Sequence, residues 1–144
     1  MKYVTKGFEE LTVWELYEIL RFRSEVFVVE QNCVYQDVDG VDPLSRHLFM
    51  IDDDGVICAY LRWFPGSEEG IAQIGRVLSR YRRRGIGSIL LGYASDEIRE
   101  RGYQGIRVEA QTYAVPFYER AGFAVTSDEF DEDGIPHVEM RKRL

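Results

Sequence analysis

Residues 71–98 impose the strongest constraint on this chain. They read Ile71-Ala-Gln-Ile-Gly-Arg-Val-Leu-Ser79, then Arg80-Tyr-Arg-Arg-Arg-Gly85-Ile-Gly87-Ser88, then an apolar-periodic run to Ile98. The first part reads as a buried strand and the second as a basic, glycine-containing turn. The third reads as an amphipathic helix with Ile86, Ile89, Leu90, Tyr93, Ala94 and Ile98 on one stripe. Arg99 and Arg101 suit its negative end, and Gly102 suits the C′ position. A strand that enters a helix through glycines directs free backbone N–H groups, and the positive end of the helix dipole, at one point. A phosphate fits that point.

With 144 residues the chain has room for one domain, 1–144, around one sizeable core. Its formal net charge of -7 makes it a poor general binder of nucleic acid or anionic membrane. The same charge suits attraction of protonated amines, or simple solubility. Cys33 and Cys58 have neither the spacing of a zinc site nor that of a disulfide framework, so no metal is expected. The start, Met-Lys-Tyr-Val-Thr-Lys, has no apolar signal core, and no apolar run is long enough to span a bilayer. The expected location is the cytoplasm.

Lys2 to Lys6 read as a first strand. Thr12 and Glu15 form a capping box, and Val13, Leu16, Tyr17 and Leu20 follow at helical spacing toward Phe27. Glu30 to Ser45 is acidic and irregular, and a loop this long in a small domain is usually functional or mobile. Asp37, Asp39 and Asp42 invite a calcium reading. Counting from Asp37, however, the required glycine and glutamate positions hold Asp42 and Leu48, so an EF-hand is rejected. His47–Ile51 and Val56–Phe64 flank Asp52-Asp-Asp-Gly55, a hairpin signal. Ile106–Ala110 reads as a short strand and Tyr113–Ala121 as a short helix. Phe123–Thr126 and Ile135–Met140 read as a closing strand pair around Asp131-Glu-Asp-Gly134. The order implies an α/β chain (α+β in some schemes) with a mixed, mostly antiparallel sheet flanked by helices. The strand–glycine turn–helix unit stands at its centre.

Three phosphate-binding patterns compete for residues 82–88. A P-loop needs lysine after its last glycine, and here Ser88 follows Gly87. The dinucleotide fingerprint needs a third glycine where Leu90 stands. The third pattern, Q/R-x-x-G-x-G/A, is met by Arg82-Arg83-Arg84-Gly85-Ile86-Gly87. This resembles motif A of the GCN5-related N-acetyltransferase (GNAT) superfamily. The competing reading is a solvated basic turn before a helix. Tyr118-Glu-Arg-Ala-Gly122-Phe123 is similar to the Y-x-x-x-G-F end of that superfamily's motif B, in the expected order along the chain. The bland reading of Tyr118 is a core aromatic and of Gly122 a helix cap. Arg23-Ser-Glu-Val-Phe-Val-Val-Glu-Gln-Asn-Cys33, Tyr35-Gln-Asp-Val-Asp-Gly40, Asp42, His47 and Asp133-Gly-Ile-Pro-His137 resemble the ElaA-type branch. The resemblance thus covers nearly the whole chain.

The resemblance implies an acyltransferase that moves an acetyl group directly from acetyl-coenzyme A to a primary amine of a small molecule or peptide. Residues Arg82, Arg83, Arg84, Gly85, Ile86, Gly87 and Ser88 would hold the pyrophosphate. The backbone of Val77, Leu78 and Ser79 would lie along pantetheine. Tyr118 would protonate the departing thiolate, as a phenol protonated at neutral pH can. The base is open among Glu30, Asp37, His47, Glu109, His137 and Glu139, or a water chain, with Glu30 and His137 favoured by their place in the branch-specific segments. The acidic stretches 37–42 and 128–133 are expected to face a cationic acceptor or to be solvated turns. A homodimer is compatible with this reading. Two alternatives stand beside it: a non-catalytic acyl-coenzyme A binding or sensing module, and a synthase of acyl-homoserine lactones.

Overall fold

The computed structural model describes residues 1–81 and 84–144. Strand β1 (Lys2–Gly7) is followed by helix α1 (Val13–Arg23), β2 (Arg46–Ile51), β3 (Ile57–Pro65) and β4 (Ile71–Ser79). Helix α2 (Ile86–Glu100), β5 (Gly105–Gln111), α3 (Val115–Arg120), β6 (Ala124–Val125), β7 (Phe130–Glu132) and β8 (Ile135–Arg143) complete the chain. The strands form one mixed sheet in the order β1-β2-β3-β4-β5-β8-β6, with β7 on β8. The β1–β2 pair and every pair with β8 are antiparallel, whereas β4 and β5 run parallel across the α2 crossover. That crossover is the strand–turn–helix unit read from residues 71–98. No helix among the described residues is long and apolar enough to cross a membrane.

The chain divides into two compact units, residues 1–62 with 76–90 and residues 63–75 with 91–144. In the first, Thr12 caps α1. Its Oγ1 accepts from Glu15 N at 3.0 Å, and Glu15 Oε1 accepts from Thr12 N at 2.8 Å. The α-helix ends at Arg23, but the backbone continues as a π-helical turn over Ser24–Glu30. The helix expected to run toward Phe27 thus changes to a looser winding from Ser24 on, and that winding carries through Phe27 to Glu30. Ile19, Phe22, Phe49, Ile57, Tyr60 and Leu78 form this unit's apolar core, with Val4, Leu11, Val26, Phe27 and Ile51 packed against it.

In the second unit, β5 buries Ile106, Val108 and Ala110 in strict alternation. Helix α2, whose residues fall in both units, buries Ile86, Leu90, Leu91, Ala94 and Ile98, whereas Ile89 and Tyr93 of the expected stripe are exposed. Leu91 takes their place because the covered face of α2 is centred about one residue further on. The helix ends as expected: Gly102 N donates to Arg99 O, and Tyr103 N to Ile98 O. The closing strands differ from the sequence reading. Ala124–Val125 does pair with Arg141–Met140, but the Asp133-Gly134 turn joins β8 to a separate strand, β7.

Candidate functional site

The segment expected to hold the acyl donor begins where the β4–β5 ladder ends. The registered pairs run from Ile71↔Gly105 to Ile74↔Val108. Two residues on, Arg76 takes φ 55°, a left-handed conformation that an arginine seldom adopts. Val77, Leu78 and Ser79 follow. Leu78 is buried, and Ser79 Oγ is shielded from water yet has no hydrogen-bond partner among the described residues.

The basic turn divides its arginines between different tasks. Arg80 N donates to Cys58 O at 2.7 Å, and its guanidinium donates to Ile57 O at 3.2 Å. The same group pairs with Glu25 at 3.0 Å and stacks on Phe22, 4.1 Å from the ring centroid. Arg80 is thus a brace for the strand end. Tyr81 donates its hydroxyl to Asp52 Oδ2 at 2.6 Å, and the exposed Arg84 lies over the Tyr81 ring at 5.4 Å. Arg82 and Arg83 lie outside the described residues. Gly85, at φ 74°, turns the chain into α2, and its carbonyl accepts the first helical hydrogen bond, from Ile89 N at 3.0 Å. Ile86, Gly87 and Ser88 form the first turn of α2, whose N–H groups have no partner within the helix.

In the second unit, α3 places Tyr118 among Phe117 and Phe123, with edge-on rings at 5.0 and 5.7 Å. Its hydroxyl makes no hydrogen bond among the described residues. Burial, with a contribution from Tyr113, pushes the phenol well above its ordinary range, so the proton stays on oxygen at neutral pH.

His137, buried on β8, has its Nδ1 2.8 Å from Ile135 O. A carbonyl only accepts, so Nδ1 carries the proton and Nε2 keeps its lone pair in the neutral ring. Nε2 faces Glu132 Oε2 at 3.4 Å, and Phe130 stacks on the imidazole at 6.0 Å. Burial, together with a hydrogen bond to the Glu109 carboxyl, raises the Glu132 carboxyl. A carboxyl with a raised pKa beside an imidazole lone pair makes a group that can take up and return a proton.

A family model described as an acetyltransferase (GNAT) domain matches residues 23–144. The chain belongs to the GNAT acetyltransferases. A UPF0039 protein of Schizosaccharomyces pombe is 38% identical to this GNAT chain, covering 100% of it and 98% of that protein. Protein ElaA of Escherichia coli is 34% identical, over 94% of this chain and 92% of its own. Among solved structures, an acyl-CoA N-acyltransferase from Pseudomonas aeruginosa superposes with a TM-score of 0.90 at 37% identity, covering 99% of each chain. The crystal structure of Escherichia coli ElaA also superposes with a TM-score of 0.90, at 31% identity over 98% of each chain.

The GNAT domain uses its acidic loop differently from the sequence expectation. Asp37 and Asp42 are buried, and the more exposed Asp39 is turned onto arginines, so the three do not form a free cation-attracting surface. They alternate with Arg23 of α1, Arg62 of β3 and Arg76 of β4 in a closed ring. Arg23 meets Asp37 at 2.9 Å, Asp37 meets Arg76 at 2.8 Å, and Arg76 meets Asp39 at 3.3 Å. Asp39 meets Arg62 at 2.6 Å, Arg62 meets Asp42 at 2.8 Å, and Asp42 meets Arg23 at 2.7 Å. Arg23 is 0% exposed, which is tolerable only because each guanidinium has two carboxylates. Burial works against the charge of Asp39. Hydrogen bonds from Arg62 and from Val41 N outweigh it and hold the carboxyl far below its usual range.

The ring also removes two candidates for the base. Asp37 is held by Arg23 and Arg76. His47 is fully buried, its Nε2–H donating to Asp42 O at 3.0 Å and its Nδ1 accepting from the Tyr60 hydroxyl at 2.7 Å. Glu139 is a poor base as well. Hydrogen bonds from Arg141, Thr126 and Arg107 hold it down at about 2. Glu109 pairs with Arg107 at 3.1 Å. Glu30 is exposed at the end of the π-helical turn, in the first unit, whereas Tyr118 and His137 lie in the second.

Sequence reasoning missed Arg62, Arg76 and Glu132. Arg62 had a signal. An arginine inside Ile57-Cys-Ala-Tyr-Leu-Arg-Trp63 is a charge inside a buried strand, and it needs an acidic partner elsewhere in the chain.

Proposed function

We propose that this chain is an acetyl-coenzyme A-dependent N-acetyltransferase, one domain over residues 1–144. It moves an acetyl group directly to a primary amine of a small molecule or peptide, with the cytoplasm as its setting. The observation that carries the reading is the end of β4. Ser79 Oγ is buried without a partner there, and a glycine turn follows into a helix N-terminus. Buried polar groups ordinarily have a partner. A ligand running along Val77–Ser79 supplies one, and its phosphates meet the N–H groups of Gly85–Ser88 and the guanidinium of Arg84. Arg82 and Arg83 complete the basic turn by the motif. The name of the Pseudomonas aeruginosa relative supports the same donor class.

The chemistry follows from the residues. The acceptor nitrogen, once deprotonated, attacks the thioester carbonyl carbon, the carbon–sulfur bond breaks, and the thiolate leaves. His137 Nε2 takes the ammonium proton, with Glu132 stabilising the imidazolium that forms. Glu30 is the second candidate for that role. A backbone N–H of Val77–Ser79 polarises the carbonyl oxygen. Tyr118 donates a hydrogen bond, and then its proton, to the sulfur, and the second proton that the acceptor nitrogen loses as the tetrahedral intermediate collapses restores the phenol. Because burial weakens it as an acid, its contribution is largest while charge builds on the sulfur in the transition state.

Mass spectrometry of the natively purified protein should find a retained coenzyme A species. A thiol-release assay over a panel of amines should then show release only when an acceptor is present. Coenzyme A binding with no thiol release across the panel would replace this reading with a binding or sensing module. No coenzyme A binding at all would end it.

A further inference from the structure

Among the described residues, three that are not glycine adopt a positive φ: Asn32, Arg76 and Asp133. Asn and Asp visit that region readily, but an arginine on a strand does so only when its surroundings hold it there. Gly75, one residue earlier, would take a left-handed φ at little cost, yet its φ is not positive. The chain therefore places the strained conformation on a residue with a long cationic side chain and leaves the adjacent glycine unstrained. What that side chain does explains the choice. Its guanidinium meets Asp37 Oδ1 at 2.8 Å and Asp39 Oδ2 at 3.3 Å, and it donates to Asp37 O at 3.1 Å. It also lies over the Tyr35 ring at 5.7 Å. Asp37 is in turn fixed by the fully buried Arg23, and Asp39 by Arg62. The grip on Arg76 is thus anchored on α1 and β3, outside its own strand.

We infer that Arg76 is a positioning residue: its ion pairs with Asp37 and Asp39 hold β4 in the conformation that presents the backbone of Val77–Ser79 to the pantetheine arm. The inference rests on the proposed reading of the β4 end as the donor track, and it gives the acidic loop a task. The loop sets the geometry of the acyl donor and leaves the attraction of the acceptor to other residues. The ring acts on the pantetheine half of the site. The phosphate half, on the N–H groups of α2, does not depend on φ at residue 76.

Arg76→Gly tests this directly, because glycine accepts the backbone conformation and removes only the grip. Calorimetric titration should show coenzyme A affinity falling about tenfold, with KM for acetyl-coenzyme A rising by a similar factor and kcat changing less. Adenosine 3′,5′-bisphosphate, which has no pantetheine arm, should bind wild type and variant alike. Arg76→Lys keeps the charge but not the two-pronged contact, and it should fall between them. If Arg76→Gly does not fold, the same comparison on Arg76→Lys and Asp39→Asn decides. Wild-type affinity and KM in the folded variants would overturn the positioning role alone, as would equal losses for both ligands, the mark of general collapse. Failure of the wild-type protein to bind either ligand would instead overturn the donor-site reading and this inference with it.

Discussion

The Arg23 guanidinium and the Asp42 carboxylate meet at 2.7 Å, and both side chains are almost completely removed from water. Asp42 Oδ1 also receives Arg62 at 2.8 Å, so one carboxylate oxygen neutralises two buried cations. Asp42→Asn leaves both cations short of charge. Breaking a buried pair from one side costs about 3–5 kcal/mol. Urea unfolding of this variant should show a loss of that size. Glu18→Gln, which breaks only the exposed Arg21–Glu18 contact on α1, should change stability by well under about 1 kcal/mol.

Tyr118→Phe removes a hydroxyl that bonds to none of the described residues and leaves the ring packing of Phe117 and Phe123 in place. The fold should be unaffected, and coenzyme A should bind with near wild-type affinity. Turnover should fall by about a hundredfold, the usual contribution of a placed proton donor. A variant with full turnover would remove Tyr118 from the chemistry.

Gly85→Ala isolates the turn into α2. A Cβ built there meets no atom of the described residues within 4 Å, so the penalty is conformational. A left-handed residue other than glycine costs about 1–2 kcal/mol. The melting temperature should drop by a few degrees, and coenzyme A affinity should weaken because the turn relaxes away from the phosphate. A variant that loses stability but binds coenzyme A as before would separate the turn from ligand binding.

His137 and Glu132 can be tested as a pair. With Nδ1 fixed on the Ile135 carbonyl, only Nε2 is available to take a proton. His137→Gln should lower kcat/KM by about a hundredfold, the usual contribution of a placed base. Glu132→Gln removes the carboxylate that faces Nε2 and should lower it by a smaller factor. Steady-state rates at one fixed pH, with saturating acetyl-coenzyme A, check both.

Stability should fall in two steps on acidification. Burial lowers the pKa of His47 in the folded protein, so only the unfolded chain binds its proton just below about 6.5. Its contribution is present above that value and is lost as pH falls toward the folded pKa. The carboxylates follow. Asp39, Asp42 and Glu139 are all lowered on folding, Glu139 to about 2. Their stabilisation is complete above the unfolded values near 4 and is lost as pH falls through the folded ones. Urea midpoints from pH 8 to pH 3 should show a shallow decline and then a steep one, and replacing His47 by Gln should flatten the first.

The strand–turn–helix part of the candidate site was legible because it is local. Strand, glycine turn and helix entry are consecutive in 71–98, and β4 spans the expected Ile71–Ser79. The capping box at Thr12 and the helix end at Gly102 were legible for the same reason. The acidic loop was misread because its meaning is not local. Asp37, Asp39 and Asp42 look like an open anionic surface until Arg23, Arg62 and Arg76, each from a different element, are brought beside them. Strand β7 was missed because a three-residue strand has too short a period to distinguish it from a turn. The partnership of Glu132 with His137 depends on the β7–β8 hairpin, so it was hidden with β7.

A closed ring has a consequence for how such a chain can drift. Each charge in it touches two opposite charges, so no single partner can compensate a change at any position. Exchanging the charges of Arg62 and Asp42 restores their own attraction, but it sets like against like at Asp39 and at Arg23. An open chain of ion pairs could be eroded from an end, one conservative step at a time. This one has no end, and its six positions must be kept together or abandoned together.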